Sequence, residues 1–389
     1  MRAVEVSGVG VTRFGKHLDL SLGDLAREAL QEALGDARLT PEHVGSVIFA
    51  NAAAGVLSGQ EMIRGQVALK GTGLAGLPIV NAENACASGG TAAHLAWLSV
   101  AAGLTDVALA VGVEKLFHVD KQRSFDAIES GTDLSLSREG AGVVGGSVMM
   151  GAYAREAREY SADHGDVTDA LAAIAVKNRD FATQNPCAQF RTPVTAADVA
   201  ASRMVADPLR LLTCSPLTDG AAAIVFSAQG RIPLVEARPR VRVEQSALVS
   251  YRHGESAVRR VSEQALRAAG AAPSDVDIWQ LHDACAFAEL AQYEQVGIAG
   301  RGKAIDAVLS GRTSAGGDAP VNTDGGLLSR GHALGATGIA QLVELTLQLQ
   351  GRADIRQVRS PRTGMAVNSG GWMGDDYAAS VATLLMTDG

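Results

Sequence analysis

The chain has 389 residues, 47% hydrophobic and 20% charged, with 44 glycines and a formal net charge of −8. This describes a globular protein long enough for two or three core-bearing units, and its acidic balance excludes a general nucleic-acid binder. The four cysteines, Cys86, Cys187, Cys214 and Cys285, form no CxxC pair, so neither a zinc site nor a disulfide framework is indicated, and no apolar run reaches the length of a membrane span.

The opening Met1–Val6 reads directly into a strand with no signal peptide ahead of it, so a reducing cytoplasm is expected. A strand over residues 3–11 leads into a helix begun by Ser21 with Asp24 three residues on, a capping-box spacing. Leu22, Leu25, Ala26, Ala29, Leu30, Ala33 and Leu34 give that helix its apolar stripe. A Pro41 turn, a strand over 44–50, a helix over 60–70 and a strand over 77–80 follow. The stretch Asn81–Gly90 then holds Cys86 between that strand and a small-residue helix over 91–102, and 106–113 is a further buried strand. Alternating helices and near-continuously apolar strands point to an α/β protein with a parallel sheet covered on both faces.

From about Glu114 to Cys214 the chain is more charged, with a glycine-rich run, Gly140–Gly146, and helices near 148–163 and 166–183. That length exceeds an ordinary connection and marks an inserted subdomain. The buried-strand pattern resumes at 219–227. Thereafter the order repeats: a strand over 233–243, a helix over 255–270, a Pro273 turn and a strand over 277–281. Aligning Pro41 with Pro273 brings Val44 onto Val276 and Ala33-Leu34 onto Ala265-Leu266, so two similar halves are expected. The halves and insertion read as 1–116 with 213–230, then 117–212, then 231–389.

Cys86 sits where helix N–H groups and the dipole favour a thiolate. His332 lies in Gly331-His-Ala-Leu-Gly-Ala-Thr-Gly338 ahead of a helix over 339–350, and His282 follows the strand at 277–281, where α/β sheets place ligands. Asn368-Ser-Gly370-Gly371 opens a glycine loop whose backbone N–H groups suit an oxyanion hole. Cys86 is therefore the candidate nucleophile and His332 its base. His282 and backbone amides are the candidates for holding negative charge.

These four motifs, in this order over nearly the whole chain, resemble the thiolase superfamily. Within it, His282-Asp283 is similar to the sterol-carrier-protein-type and archaeal acetyl-CoA C-acyltransferase-like branch. The resemblance implies a five-layer αβαβα fold in two similar halves with an inserted loop domain that binds the nucleotide. It also implies acyl-CoA and coenzyme A as substrates, no tightly bound cofactor or metal, and a homodimer or dimer of dimers. The expected reaction is acylation of Cys86 from a 3-ketoacyl-CoA and transfer to CoA, or the reverse Claisen reaction. The alternative is a subunit of a C-acyltransferase or retro-aldolase complex needing a small zinc-ribbon/OB-fold partner. A third reading is a non-catalytic acyl-CoA-binding scaffold. The chain departs from most thiolases at Asn368, where they carry a second cysteine, and Cys285, in His282-Asp-Ala-Cys285, is expected in the pocket beside His282 or Cys86.

Overall fold

A computed structural model describes residues 1–135, 147–233, 235 and 238–388; the Gly140–Gly146 run lies outside them. Nine strands form one sheet: β1 (Val4–Val11), β2 (Ser46–Ala50), β3 (Ile79–Ala82), β4 (Val107–Glu114), β7 (Gly220–Ala228), β8 (Val241–Ser250), β9 (Ile278–Gln280), β10 (Thr363–Gly370) and β11 (Ala379–Thr387). Their order is β3-β2-β4-β7-β1-β8-β11-β10-β9, while β5 (Met204–Ala206) and β6 (Leu209–Arg210) make a separate ribbon.

The order contains the duplication. β2 and β9 each follow a proline-initiated single turn, Pro41–His43 and Pro273–Asp275. Each is a parallel neighbour of the strand that leads to the site, β4 in one half and β10 in the other. β1 and β8, at the inner edges of the two half-sheets, join among the described residues through two residue pairs, Glu5–Arg242 and Val6–Val241.

The helices Leu22–Asp36 and Ala257–Ala269 cover the outer faces of the first and second half-sheets. The helices Ser88–Ala101 and Leu334–Leu349 lie against each other between the halves, which completes the five layers. The outer helices are amphipathic and use the expected caps. Ser21 and Asp24 form a reciprocal capping box, and Ser256 caps the second helix, each cap worth about 1 kcal/mol. The middle pair is apolar nearly all round because it is buried on both sides.

Several expectations change. The sheet is mixed, since β7 runs antiparallel to both β4 and β1. The chain returns from the long excursion after β4 and slots β7 between two strands already laid down. The helix expected over 60–70 is two short ones, Ala54–Ser58 and Arg64–Ala68. The strand expected over 233–243 has residues outside the described set, and the described strand begins at Val241. Both middle helices start earlier than their apolar runs suggest, at Ser88 and Leu334, because glycine and alanine in their first turns are tolerated where backbone packs on backbone. Asn368–Gly370 belong to β10 and not to a loop; the turn begins at Gly371, with φ +68°.

Candidate active site

The two middle helices place the reactive groups. A Cβ on Gly89 would sit 2.7 Å from the Gly335 carbonyl, and one on Gly338 would sit 2.2 Å from the Gly90 nitrogen. Glycine therefore lets the two first turns meet at backbone distance. Cys86 ends two residues before one helix and His332 two residues before the other, so both residues are carried to the same point.

The Cys86 turn is tightly held. Ala85, just before the cysteine, has a left-handed φ of +49°, a conformation that costs a non-glycine residue about 1–3 kcal/mol and persists only where the surroundings over-determine it. Those surroundings are Ser88, whose Oγ donates to the Ala85 carbonyl at 2.6 Å and accepts from the Asn84 N–H at 2.9 Å, and Thr91, which accepts from Asn84 Nδ2 at 3.0 Å. Gly370 runs directly beneath: a Cβ there would lie 2.2 Å from the Ala87 nitrogen and 2.6 Å from the Cys86 nitrogen.

His332 hangs from its neighbours at both ends of the residue. Its N–H donates to Thr218 Oγ1 at 3.0 Å, and its Nδ1 lies 2.8 Å from Thr337 Oγ1. The Thr337 hydroxyl donates to the Ala333 carbonyl at 3.0 Å, so it accepts from Nδ1–H. That leaves the His332 Nε2 lone pair buried without a partner among the described residues. His282 is fully buried, with its main chain gripped on both sides by the Gln292 amide at 3.0 and 2.8 Å. Its ring stands edge-on to that of His332, centroids 5.1 Å apart, and lies 5.9 Å from the Tyr377 ring. Its Nε2 is also unpartnered. One nitrogen of each histidine and the Cys86 sulfur lie within 4.8 Å of one another.

Carboxylates hold the loops from behind. Asp283 accepts from the Leu327 and Leu328 N–H groups at 2.8 and 3.2 Å and from Asn178 Nδ2 at 2.8 Å. Asn178 also donates to Glu289, which pairs with Lys177 at 2.9 Å. In the first half Glu114 accepts from the N–H groups of Ala52, Ala53 and Gly335 and from Asn51 Nδ2.

The electrostatics correct one expectation. Burial pushes the Cys86 thiol up to about 12, and the nearby Glu114 carboxylate pushes in the same direction. The N–H groups of Cys86 and Gly371 oppose this without prevailing. The resting group is a thiol and not the thiolate that a helix start alone suggests. Burial, with the charge of Arg330, lowers His282 to about 3, and burial, with His282 and Arg330, holds His332 well below its ordinary value. Both imidazoles are neutral near pH 7.

Cys285 is not one of the three residues of this cluster. It is fully buried in the apolar core, its sulfur accepts from the Ala288 N–H at 3.4 Å at the head of the helix Ala286–Gln295, and its thiol is pushed well up by burial. Cys285 is the N-cap residue of that helix. Asn368 faces the site: it accepts from the Gly90 N–H at 3.0 Å, and its Nδ2 reaches the Cys86 carbonyl at 3.1 Å and His282 Nδ1 at 3.3 Å. Sequence reading missed Thr337, Glu114, Asn178 and the contacts of Asn368. Only Thr337 left a signal, five residues after His332 in the first turn of the following helix.

A buried cysteine thiol beside two neutral imidazoles, at the junction of two duplicated α/β halves, is an arrangement suited to acyl transfer through a cysteine. Residues 4–230 match the thiolase N-terminal domain family and residues 244–383 the thiolase C-terminal domain-like family, and the chain belongs to the thiolases. It is a thiolase-type acyl-CoA C-acyltransferase. It is 35% identical over 382 residues to the benzoylsuccinyl-CoA thiolase subunit BbsB of Thauera aromatica, covering 95% of each chain. It is 36% identical to an acetyl-CoA acetyltransferase of Methanothermobacter thermautotrophicus, over 95% of this chain and 97% of that one. Chicken sterol carrier protein 2 is 33% identical, over 95% of this chain and 70% of its own. Among solved structures, an "Ltp2-ChsH2(DUF35) aldolase" superposes with a TM-score of 0.81 at 24% identity, covering 99% of this chain and 98% of that one. Human mitochondrial 3-ketoacyl-CoA thiolase in complex with CoA gives 0.74 at 15% identity, covering 100% and 98%. Among the described residues no helix is long and apolar enough to cross a membrane.

Proposed function

We propose that Cys86 attacks the 3-keto carbon of a 3-ketoacyl-CoA while His332 Nε2 takes its proton. The sulfur–carbon bond forms, the C2–C3 bond breaks, and the leaving acetyl-CoA enolate receives the proton that His332 has just taken. In the second half-reaction His332 removes the proton of CoA, whose sulfur displaces Cys86 from the acyl group, and the proton passes from His332 to the departing Cys86 thiolate. His282 Nε2 and the N–H groups of Cys86 and Gly371 stabilise the developing oxyanions. The observation that carries this is the buried cluster in which the Cys86 sulfur and one nitrogen of each histidine lie within 4.8 Å of one another, with both Nε2 atoms unpartnered among the described residues. A thiol held near 12 needs a base in the same step as attack, and His332 is placed for that. His282, lowered to about 3, suits a neutral donor better than a base. The inserted segment 117–212 is the proposed seat of the CoA nucleotide, with no tightly bound cofactor, and the free thiols suit a cytoplasmic location. The test is intact-mass detection of an acyl adduct on Cys86 during a thiolysis screen of several 3-ketoacyl-CoAs. No adduct with any of them would overturn the reading.

A second reading, a subunit completed by a small zinc-ribbon/OB-fold partner, draws on two observations. Neither Asn368 nor the core-buried Cys285 supplies a second acid/base in the site. One relative is named as a thiolase subunit, and one structural neighbour is named with a DUF35 component. Turnover that appears only on adding such a partner would select it. For self-association, the outermost strand β3 with exposed Met62, Ile63, Val67 and Val80 is the proposed homodimer face, checked by light scattering of wild type and V80E.

A further inference from the structure

Asn368 stands where most thiolases carry a titrating cysteine, and its amide is fixed by three partners whose roles leave no choice. The Gly90 N–H can only donate, so the atom it meets at 3.0 Å is Oδ1. The Cys86 carbonyl can only accept, so the atom 3.1 Å from it is Nδ2. The second hydrogen of that NH2 group points at His282 Nδ1, 3.3 Å away. Two donors cannot face each other, so His282 Nδ1 is the bare, accepting nitrogen. In a neutral ring the proton then sits on Nε2. That nitrogen is buried and without a hydrogen-bond partner among the described residues, in a ring that has one nitrogen within 4.8 Å of the Cys86 sulfur.

The approach of Asn368 is itself built. A Cβ on Gly338 would lie 2.3 Å from Asn368 Oδ1, and one on Gly90 would lie 2.8 Å from it. The two middle helices each give up a side chain so that this amide can reach between them. His332 has the opposite arrangement: Thr337 accepts from its Nδ1–H, leaving Nε2 as a lone pair. The two imidazoles are thus set as different tautomers by different neighbours, one with a protonated Nε2 and the other with a bare one, in the same cluster with Cys86.

We propose that Asn368 is a positioning residue that holds His282 as the Nε2–H tautomer, and that by doing so it makes His282 an oxyanion donor and closes the Cys86–His282–His332 triad to zinc. The inference rests on reading these three residues as the acyl-transfer site. A cysteine and two histidines with ligand atoms within 4.8 Å form a donor set that zinc favours. A tetrahedral ion would draw those atoms to about 3.5 Å of one another, a movement of about an ångström. Metal binding needs the Nε2 lone pair, and with it a proton on Nδ1 supported by an acceptor, commonly a carboxylate. Asn368 presents a donor there instead. A single substitution, Asn368→Asp, supplies the missing acceptor.

The test measures zinc affinity by competition with a chromophoric chelator, for wild type, N368D and the double variant N368D/C86A. The expected result is about tenfold to a hundredfold tighter binding in N368D than in wild type, lost again in the double variant. Equal affinity in wild type and N368D, or tighter binding that survives loss of Cys86, overturns the proposal. Because N368D adds a buried carboxylate, the wild-type protein provides a second measurement. Two-bond ¹H–¹⁵N correlation spectra, with His282 assigned by its disappearance in H282A, should show an unprotonated Nδ1 and a protonated Nε2. The reverse pattern overturns the proposal without any variant at Asn368. Neither readout requires turnover, so a chain that passes both yet forms no acyl adduct would refute the acyl-transfer reading alone.

Discussion

The helix Ser88–Ala101 and the helix Leu334–Leu349 hold equivalent places in the two halves, yet one is preceded by a cysteine and the other by a histidine. In the register that matches Ile48 with Gln280, Ala50 stands where the second half has His282, and Asn51, tied to Glu114, stands where it has Asp283. On the strands that follow, β4 has Gly112 where β10 has Asn368, counting from the paired residues Ile48–Ala110 and Gln280–Ala366. The first half keeps its positions small or structural and supplies the nucleophile. In the proposed mechanism the second half supplies the base, the donor and the amide that orients the donor. Duplication made two matching helix starts converge, and divergence at three matching positions turned their meeting point into a reaction site.

This division of labour can be broken in order of expected effect. Cys86→Ala removes the only contribution of the first half that forms a bond, and no acyl adduct should appear by intact mass with any substrate. An adduct of unchanged mass would end the assignment. His332→Ala leaves the thiol without a base and should lower kcat/KM by about 10²–10⁴. Alkylation of Cys86 near pH 7 should slow in the same variant, and an unaltered alkylation rate would separate His332 from the sulfur. His282→Ala should cost about 10²–10³ in kcat, equivalent to ~2.7–4 kcal/mol, through loss of an oxyanion donor. Near-normal turnover in a folded H282A protein would reassign the donor to the backbone.

The same histidine gives a pH signature. Its folded value, about 3, lies below the ordinary 6.5, so below pH 6.5 the unfolded chain binds a proton that the folded chain refuses. Stability is therefore full above pH 6.5 and falls as pH drops from there toward 3. His282→Gln should flatten that fall by about 1.4 kcal/mol per pH unit, read from urea melts between pH 6 and 4.5. An unchanged slope would mean that the ring takes up a proton in the folded state. The smallest effect is expected at Cys285, which shares the His282 loop but caps a helix in the core. Cys285→Ala should leave thiolysis within about twofold and cost about 1 kcal/mol of stability. A large loss of kcat with intact folding would return Cys285 to the chemistry.

Much of the architecture was legible because periodicity, capping residues and the repeated proline turn are local signals. The ordering of β1, the Ser21 helix, the Pro41 turn and β2, repeated at β8, Ser256, Pro273 and β9, survives comparison with the fold. The direction of β7 was not legible: strand sequence carries burial but not orientation, and the long excursion before it hides where the chain re-enters. At the site, glycine context marked Cys86 and His332 correctly as neighbours of helix starts. It did not reveal that burial and Glu114 would keep the cysteine a thiol, since desolvation depends on everything packed around it. The place of Cys285 as a buried helix cap was not legible, because the capping contact depends on the start of the following helix. Asn368 read as a loss because its function lies in two hydrogens pointed at residues 86 and 282, a relation that only the folded chain brings together.

The insertion of β7 between β4 and β1 also sets a timetable for synthesis. As the chain leaves the ribosome, β1 and β4 are complete while β7 still lies beyond residues 115–219. At about 5–20 residues per second, roughly a hundred residues keep those two strands waiting for about 5–20 seconds, with apolar edges open. Nascent thiolase should therefore call on holding factors during that interval and release them once residue 228 has emerged. Under the proposed roles the nucleophile is by then long in place while its base, His332, arrives about a hundred residues later, so the emerging polypeptide should not consume acyl-CoA before its second half is built.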